Sequence, residues 1–304
     1  MKEIYILEHF NFSDEQIDKL KSLGNVHFYE KANEKDVEEA QNNADVIMLD
    51  WIDPTNIITK MKKGSFVCFP FTGYGWISTI NEAIKNGVTL SNTPNYSTNA
   101  VAEHHLTLML SVAKNVVNCN EGLKNSTIPQ NHNIELTGKT VGIIGLGAIG
   151  RRLAELLSSF NVKILTTSAT KKNDKIAKDV ELSELLTESD FVCVTCKLNE
   201  STKNMLGYNE LKMMKDNAIL TTTTNEVVNF EALEKVLDEG KLFGVGLEEF
   251  MNINDVPKSF INNIKVISTY HKAYDTIEAE NNRLNMSIDS IEAFLNGNPI
   301  NVIK

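Results

Sequence analysis

Short apolar runs alternate with amphipathic stretches along most of the chain. The first set of runs is Ile4–Leu7, Val26–Tyr29, Val46–Leu49, Phe66–Phe69 and Val88–Leu90. Each is short, rich in β-formers and bounded by polar residues, which is the signature of a buried strand. The stretches between them have helical spacing. One opens with Ser13-Asp-Glu-Gln16, a capping box in which serine and glutamine satisfy each other's backbone N–H groups. A second set follows at Val162–Leu165, Phe191–Val194, Ala218–Leu220, Phe243–Leu247 and Val266–Ser268. Strands alternating with helices predict parallel sheets, so the fold class expected is α/β, with two doubly wound units.

Between the two sets runs a long helical pattern, Thr98 to Val117, with Val101, Leu106, Leu108, Met109 and Val112 at its apolar positions. Its length suits a helix crossing from one unit to the other. A polar segment, Asn118 to Gly138, comes next. The tail from Thr276 has the pattern of one helix ending near Gly297-Asn-Pro299. It is expected to return to the first unit, whose sheet otherwise lacks cover on one side. The expected domains are residues 1–99 plus 276–304, and residues 100–275. There is no repeat, and the run Thr221–Thr224 is too short to count as low complexity.

The second unit opens on the most informative stretch, Lys139 to Leu157. An apolar run (Val141, Ile143, Ile144) leads into Gly145-Leu146-Gly147-Ala148-Ile149-Gly150 and then into a helical pattern. Strand, glycine turn and helix N-terminus in that order form the dinucleotide-binding fingerprint. The first glycine permits the turn, the second lets backbone approach the pyrophosphate, and the third lets helix and strand pack closely. About twenty residues on, the NAD version of this fold carries an acid for the ribose 2′-hydroxyl. Here Ser168 takes that place, with Thr167 before it and Lys171 and Lys172 after it. Hydroxyls and ammonium groups welcome a 2′-phosphate that a carboxylate would repel. NADP(H) is therefore favoured over NAD(H).

At 304 residues the chain is long enough for two cores. The formal charge of −10 argues against nucleic acid or an anionic membrane as a main partner. The N-terminus lacks the apolar core of a signal peptide, and no run approaches a membrane span. A cytoplasmic protein is expected. Cys193 and Cys196 have CxxC spacing. They fall on a strand-like run, where residues three apart point to opposite faces. No second such pair accompanies them, so buried thiols are expected and no metal site.

Several of these segments carry a resemblance. Glu135-Leu-Thr-Gly-Lys-Thr-Val-Gly-Ile-Ile-Gly-Leu-Gly-Ala-Ile-Gly150, Asn99-Ala-Val-Ala-Glu-His104 and the tail Leu295-Asn-Gly-Asn-Pro-Ile-Asn-Val302 resemble the D-isomer-specific 2-hydroxyacid dehydrogenases. The resemblance spans nearly the whole chain. It implies a central Rossmann domain, a discontinuous flavodoxin-like substrate domain made from both termini, an active site in the cleft between them, and a homodimer. It also implies a small-molecule substrate, and cofactor contacts at Thr98, Thr195, Thr222 and Glu248. In such enzymes nicotinamide donates hydride, a histidine paired with a glutamate moves the proton, and an arginine holds the substrate carboxylate.

The histidine matches. Val266-Ile-Ser-Thr-Tyr-His-Lys-Ala-Tyr274 is similar to the family's histidine segment and puts His271 in the role. His104 and His105, on the long helix, are read as structural. The arginine does not match: Leu220-Thr-Thr-Thr-Thr-Asn-Glu-Val-Val-Asn229 places Thr224 there, and threonine is no bidentate cationic clamp. Where the family has an aspartate near the nicotinamide and a glutamate five residues later, this chain has Glu248 and Ile253. Glu248 is the candidate for the amide contact, and Glu249 or Asp255 for the histidine's partner. The loop Phe71-Thr-Gly-Tyr-Gly-Trp76 is similar to the family's substrate loop, with Gly73, Tyr74 and Gly75 as a candidate anion nest. Three readings stay open: a reductase of a carbonyl or C=N compound, a catalytically silent dinucleotide binder, or a 2-oxo acid reductase using the relocated Arg283.

Overall fold

The computed structural model describes residues 1–127, 132–169, 175–248 and 250–304. The chain divides into two compact units, Met1–Ser97 with Thr276–Lys304, and Thr98–Asp275.

The first unit is built on five parallel strands, β1 (Glu3–Ile6), β2 (Asn25–Phe28), β3 (Val46–Met48), β4 (Phe66–Cys68) and β5 (Thr89–Ser91), in the order β2-β1-β3-β4-β5. This is the flavodoxin-like order, which reverses between β1 and β3. The run at β2 pairs without being buried, whereas at β1, β3 and β4 burial extends past the pairing. Leu7, Leu49 and Phe69 are fully buried although each lies one residue past its strand. The capping box forms as the sequence predicts: Gln16 N donates to Ser13 Oγ, and Ser13 N donates to Gln16 Oε1 at 2.9 Å. The Gln16 amide nitrogen also donates to Asn281 (3.1 Å) and Asn285 (2.7 Å). These belong to the tail helix Ile277–Leu295, which is N-capped by Thr276. That helix packs Leu284, Ile288 and Ile291 against Ile4, Ile6 and Phe66, covering one face of the sheet.

The second unit has seven parallel strands: β6 (Thr140–Ile144), β7 (Lys163–Thr167), β8 (Lys178–Asp179), β9 (Phe191–Val194), β10 (Ala218–Thr222), β11 (Leu242–Leu247) and β12 (Val266–Ser268). Their order is β12-β11-β10-β9-β6-β7-β8, doubly wound with its reversal beside β6. Strands β7 and β10 run two residues past their apolar runs. Threonine fits a pleated strand as well as valine does, and the buried Thr166 hydroxyl donates to the Ile143 carbonyl at 3.0 Å. Strand β8 has no apolar run to announce it. It is two polar residues at the sheet edge.

One element differs from the expected reading. The helix from Thr98 ends at Ala113 and lies within the second unit, so it does not cross between units. Asn115 turns the chain at φ +51°, a conformation asparagine tolerates. A second helix, Val116–Lys124, then runs into the polar segment that begins at Asn118.

Candidate active site

Strand β6 ends at Ile144, and Gly145 leaves it at φ +102°. A Cβ on Gly145 would lie 2.7 Å from the Cys196 backbone. One on Gly150 would lie 2.2 Å from the Gly145 carbonyl oxygen. Both contacts are with backbone, so only glycine serves. The helix Ala148–Leu157 starts after Gly147, and no side chain caps its first N–H groups. Leu146 is buried in the core. What the turn presents outward is therefore backbone N–H at the positive end of a helix, the arrangement that holds a pyrophosphate. The residues present fit a dinucleotide. Thr195 supports the turn from beneath, its hydroxyl donating to the Gly145 carbonyl at 2.6 Å.

At the end of β7, Thr167 and Ser168 are half-buried, and Ser168 stands where the NAD-type acid would be. Lys171 and Lys172 lie outside the described residues.

The threonine run at the end of β10 is tightly bonded. Thr222 is fully buried, and its hydroxyl oxygen accepts from the Thr224 N–H at 2.9 Å. The Thr224 hydroxyl donates to the Cys196 carbonyl at 3.3 Å, just past β9. Thr224 is thereby placed beside the segment that backs the glycine turn.

His271 follows β12 at φ +39°. Its ring is half-buried, with Nδ1 enclosed and without a hydrogen-bond partner among the described residues, and it lies 5.1 Å from the Tyr274 ring. Burial, and then the neighbouring Lys272 ammonium, hold its pKa below the usual histidine value. The segment is gripped from two sides. Glu248, buried directly after β11, accepts through Oε1 from the N–H groups of Lys272 and of Ala273, the latter at 3.0 Å. His104 Nε2 meets the Thr269 hydroxyl at 2.9 Å. Oε1 of Glu248 is thus occupied by the backbone of the histidine segment, a contact that sequence reasoning missed. Ile253 is exposed. Asp255, expected as a possible partner of His271, instead accepts from Asn252 N at 2.9 Å and caps its own turn. Glu249, the other possibility, lies outside the described residues.

His105 is fully buried, and its nitrogens lie 3.3 Å from the Thr221 hydroxyl and 3.1 Å from that of Thr223. Cys193 is buried on β9 with its sulfur 3.4 Å from that of Met109, and burial pushes its thiol up to about 12. Cys196 sits past the strand, half-buried against Gly145. The two thiols occupy separate environments.

In the first unit, the loop expected to form an anion nest does not adopt that geometry. Neither Gly73 nor Gly75 is in the left-handed region that alternating nest residues require. Instead the Gly73 carbonyl accepts from the Trp76 indole N–H at 3.1 Å, and that of Tyr74 accepts from Ile77 N at 3.0 Å. Arg283 is held by Asp50 (2.5 Å) and by both oxygens of Glu280. A guanidinium already bonded to two carboxylates is a poor substitute for a free substrate arginine.

The sequence model of the D-isomer specific 2-hydroxyacid dehydrogenase NAD binding domain matches residues 106–273. The chain belongs to this family. A glyoxylate reductase from Pyrococcus furiosus is 32% identical over 232 residues, covering 72% of this chain and 69% of that protein. A hydroxypyruvate reductase from Blautia hydrogenotrophica is 27% identical over 303 residues, 93% of each. Among solved structures, an acyclic imino acid reductase in complex with NADPH and D-Arg superposes with a TM-score of 0.88 at 27% identity, covering 100% of both chains. The protein is a dehydrogenase of the NAD(P)-dependent class that interconverts CH–OH and carbonyl groups in small molecules. Among the described residues, no helix is long and apolar enough to cross a membrane.

Proposed function

We propose that this dehydrogenase works as an NADP(H)-dependent reductase of a small 2-oxo compound or its C=N counterpart, with His271 moving the proton. When bound, the cofactor supplies the hydride. The observation that carries the reading is the double grip on the His271 segment by Glu248 and by His104 through Thr269. A buried carboxylate that bonds two successive backbone N–H groups fixes the segment's path. Hydride addition to a carbonyl leaves charge on oxygen, and a fixed imidazolium neutralises it. The Thr224 hydroxyl would orient the substrate without the ionic grip of an arginine. The first unit's loop carrying Gly73, Tyr74 and Gly75 is proposed to offer single N–H groups to an anion. A homodimer working in the cytoplasm completes the proposal.

Ser168 supports the NADP(H) preference, as does the NADPH in the imino acid reductase complex. NADPH is expected to bind at least about tenfold more tightly than NADH, the value of a charge-assisted contact. Ser168→Asp should reverse the order. Tighter NADH binding by the native chain would sink this part. The substrate class is tested by NADPH oxidation with glyoxylate, with hydroxypyruvate, and with each in concentrated ammonia, where imines form. Tight NADPH binding without turnover on any of them would leave a silent binder.

Thr224→Arg restores the missing clamp. A charge-assisted bond to a carboxylate is worth ~1.5–3 kcal/mol, so kcat/KM for glyoxylate should rise by about ten- to a hundredfold. An unchanged or lower value would show that the arginine is not what separates this chain from simple 2-oxo acids.

A further inference from the structure

The four threonines after Leu220 divide by the twofold period of an extended chain. Thr222 and Thr224 bond to each other, and through Thr224 to the end of β9. Thr221 and Thr223 face the other way, towards the helix Thr98–Ala113, where the His105 ring spans them. Nδ1 lies 3.3 Å from the Thr221 hydroxyl and Nε2 lies 3.1 Å from that of Thr223. Thr221 belongs to β10 and Thr223 lies beyond its end. One ring therefore ties the fixed strand to the loop that follows it.

An imidazole in a fully buried position is costly unless both nitrogens are bonded, and an apolar side chain would fill the same space between helix and sheet. We propose that His105 is a positioning residue, a neutral clamp that fixes Thr223 and thereby the place of the Thr224 hydroxyl at the substrate. The ring acts through Thr223 and touches no reacting atom. A neutral imidazole offers one donor and one acceptor. One threonine hydroxyl must then donate to the ring while the other accepts from it, which sets the direction of the whole chain of bonds. Burial, with the adjacent His104, pushes the His105 pKa down to about 3. Other charge-bearing residues of this helix are Glu103, which is exposed, and the half-buried His104. The facing strands β10 and β11 carry none, and on the neighbouring β9 the Cys193 thiol, which meets the Thr221 hydroxyl, is pushed up by burial to about 12. The ring is therefore neutral at neutral pH, as the clamp requires.

The proposal rests on the reading of Thr224 as a substrate-orienting residue, and two independent readouts separate the two ideas. The side-chain amide of glutamine reaches the Nε2 position and that of asparagine the Nδ1 position. His105→Gln keeps a bond to Thr223, whereas His105→Asn keeps only the one to Thr221. In His105→Leu and His105→Asn, amide exchange of residues 222–224 should accelerate at least about tenfold relative to the rest of β10. KM for glyoxylate should rise by a similar factor, with kcat and the NADPH dissociation constant within about threefold of the native values. His105→Gln should restore both readouts. If His105→Leu does not fold, the glutamine–asparagine pair carries the comparison. Equal behaviour of Gln and Asn, or native exchange in Asn, would overturn the clamp. If the native protein turns over neither glyoxylate nor hydroxypyruvate, with or without ammonia, the functional reading fails, and the exchange measurement alone still decides the role of His105.

Discussion

His271→Ala is expected to lower kcat for carbonyl reduction by about 10²–10⁴-fold, the usual contribution of a positioned general acid, with the NADPH dissociation constant unchanged. The pH profile should disappear with the ring. With His271 as the proposed acid, reduction needs the protonated imidazole, whose pKa lies below the usual histidine value. The rate should therefore be highest at acid pH and fall as pH rises through that lowered pKa. Oxidation of the alcohol needs the neutral ring and should rise over the same interval. The size of the loss also distinguishes the two substrate classes. A protonated C=N group already carries its proton, and hydride addition to it leaves a neutral amine. Imine reduction should therefore survive His271→Ala far better than carbonyl reduction does. Carbonyl reduction unaffected by the substitution would refute the acid role. The measurement is steady-state NADPH oxidation by both proteins across pH, with glyoxylate in the presence and absence of ammonia.

Gly150→Ala should damage both stability and cofactor binding. On helix propensity alone, alanine is favoured over glycine by about 1 kcal/mol. Packing decides the other way. The new Cβ would lie 2.2 Å from the Gly145 carbonyl oxygen and 2.8 Å from the Thr195 hydroxyl that supports it. Neither the backbone nor a hydroxyl bonded to that same carbonyl has room to yield. Overpacking of this kind costs ~1–3 kcal/mol or more, and displacing the turn re-aims every N–H that faces the phosphates. The NADPH dissociation constant is expected to rise at least about a hundredfold, equivalent to ~2.7 kcal/mol, together with a lower Tm. Gly147→Ala is the control, since nothing lies within 4 Å of its added Cβ. It should leave Tm at the native value while weakening NADPH, because the methyl would stand on the open face of the turn. A Gly150→Ala protein with native Tm and native affinity would show that the close helix–strand approach is dispensable.

Most of the scaffold could be read from local pattern. Strands β6 and β9 lie on their apolar runs because burial on both faces demands continuous apolar residues. The Ser13 cap and the glycine turn are local too: each depends on residues within a few positions of one another. Reading failed where a feature has no apolar signature or hangs on one dihedral. The polar edge strand β8 and the left-handed Asn115 that divides one expected helix into two are the clearest cases. It also failed for the Gly73–Gly75 nest, since glycine permits that conformation without requiring it.

The sequence by itself determined the family, the parallel α/β architecture, the dinucleotide turn at Gly145–Gly150, and the run of four threonines after Leu220. All of these are properties of residue identity at fixed spacing. Only the tertiary structure decided which side chains meet. Glu248 holds the backbone of the His271 segment from the next strand over. His105, more than a hundred residues before Thr221 and Thr223 in the chain, bridges their hydroxyls. Such contacts depend on the order in which parallel strands are laid side by side and on the helix packed across them. That order brings together residues far apart in sequence, and no local periodicity records it.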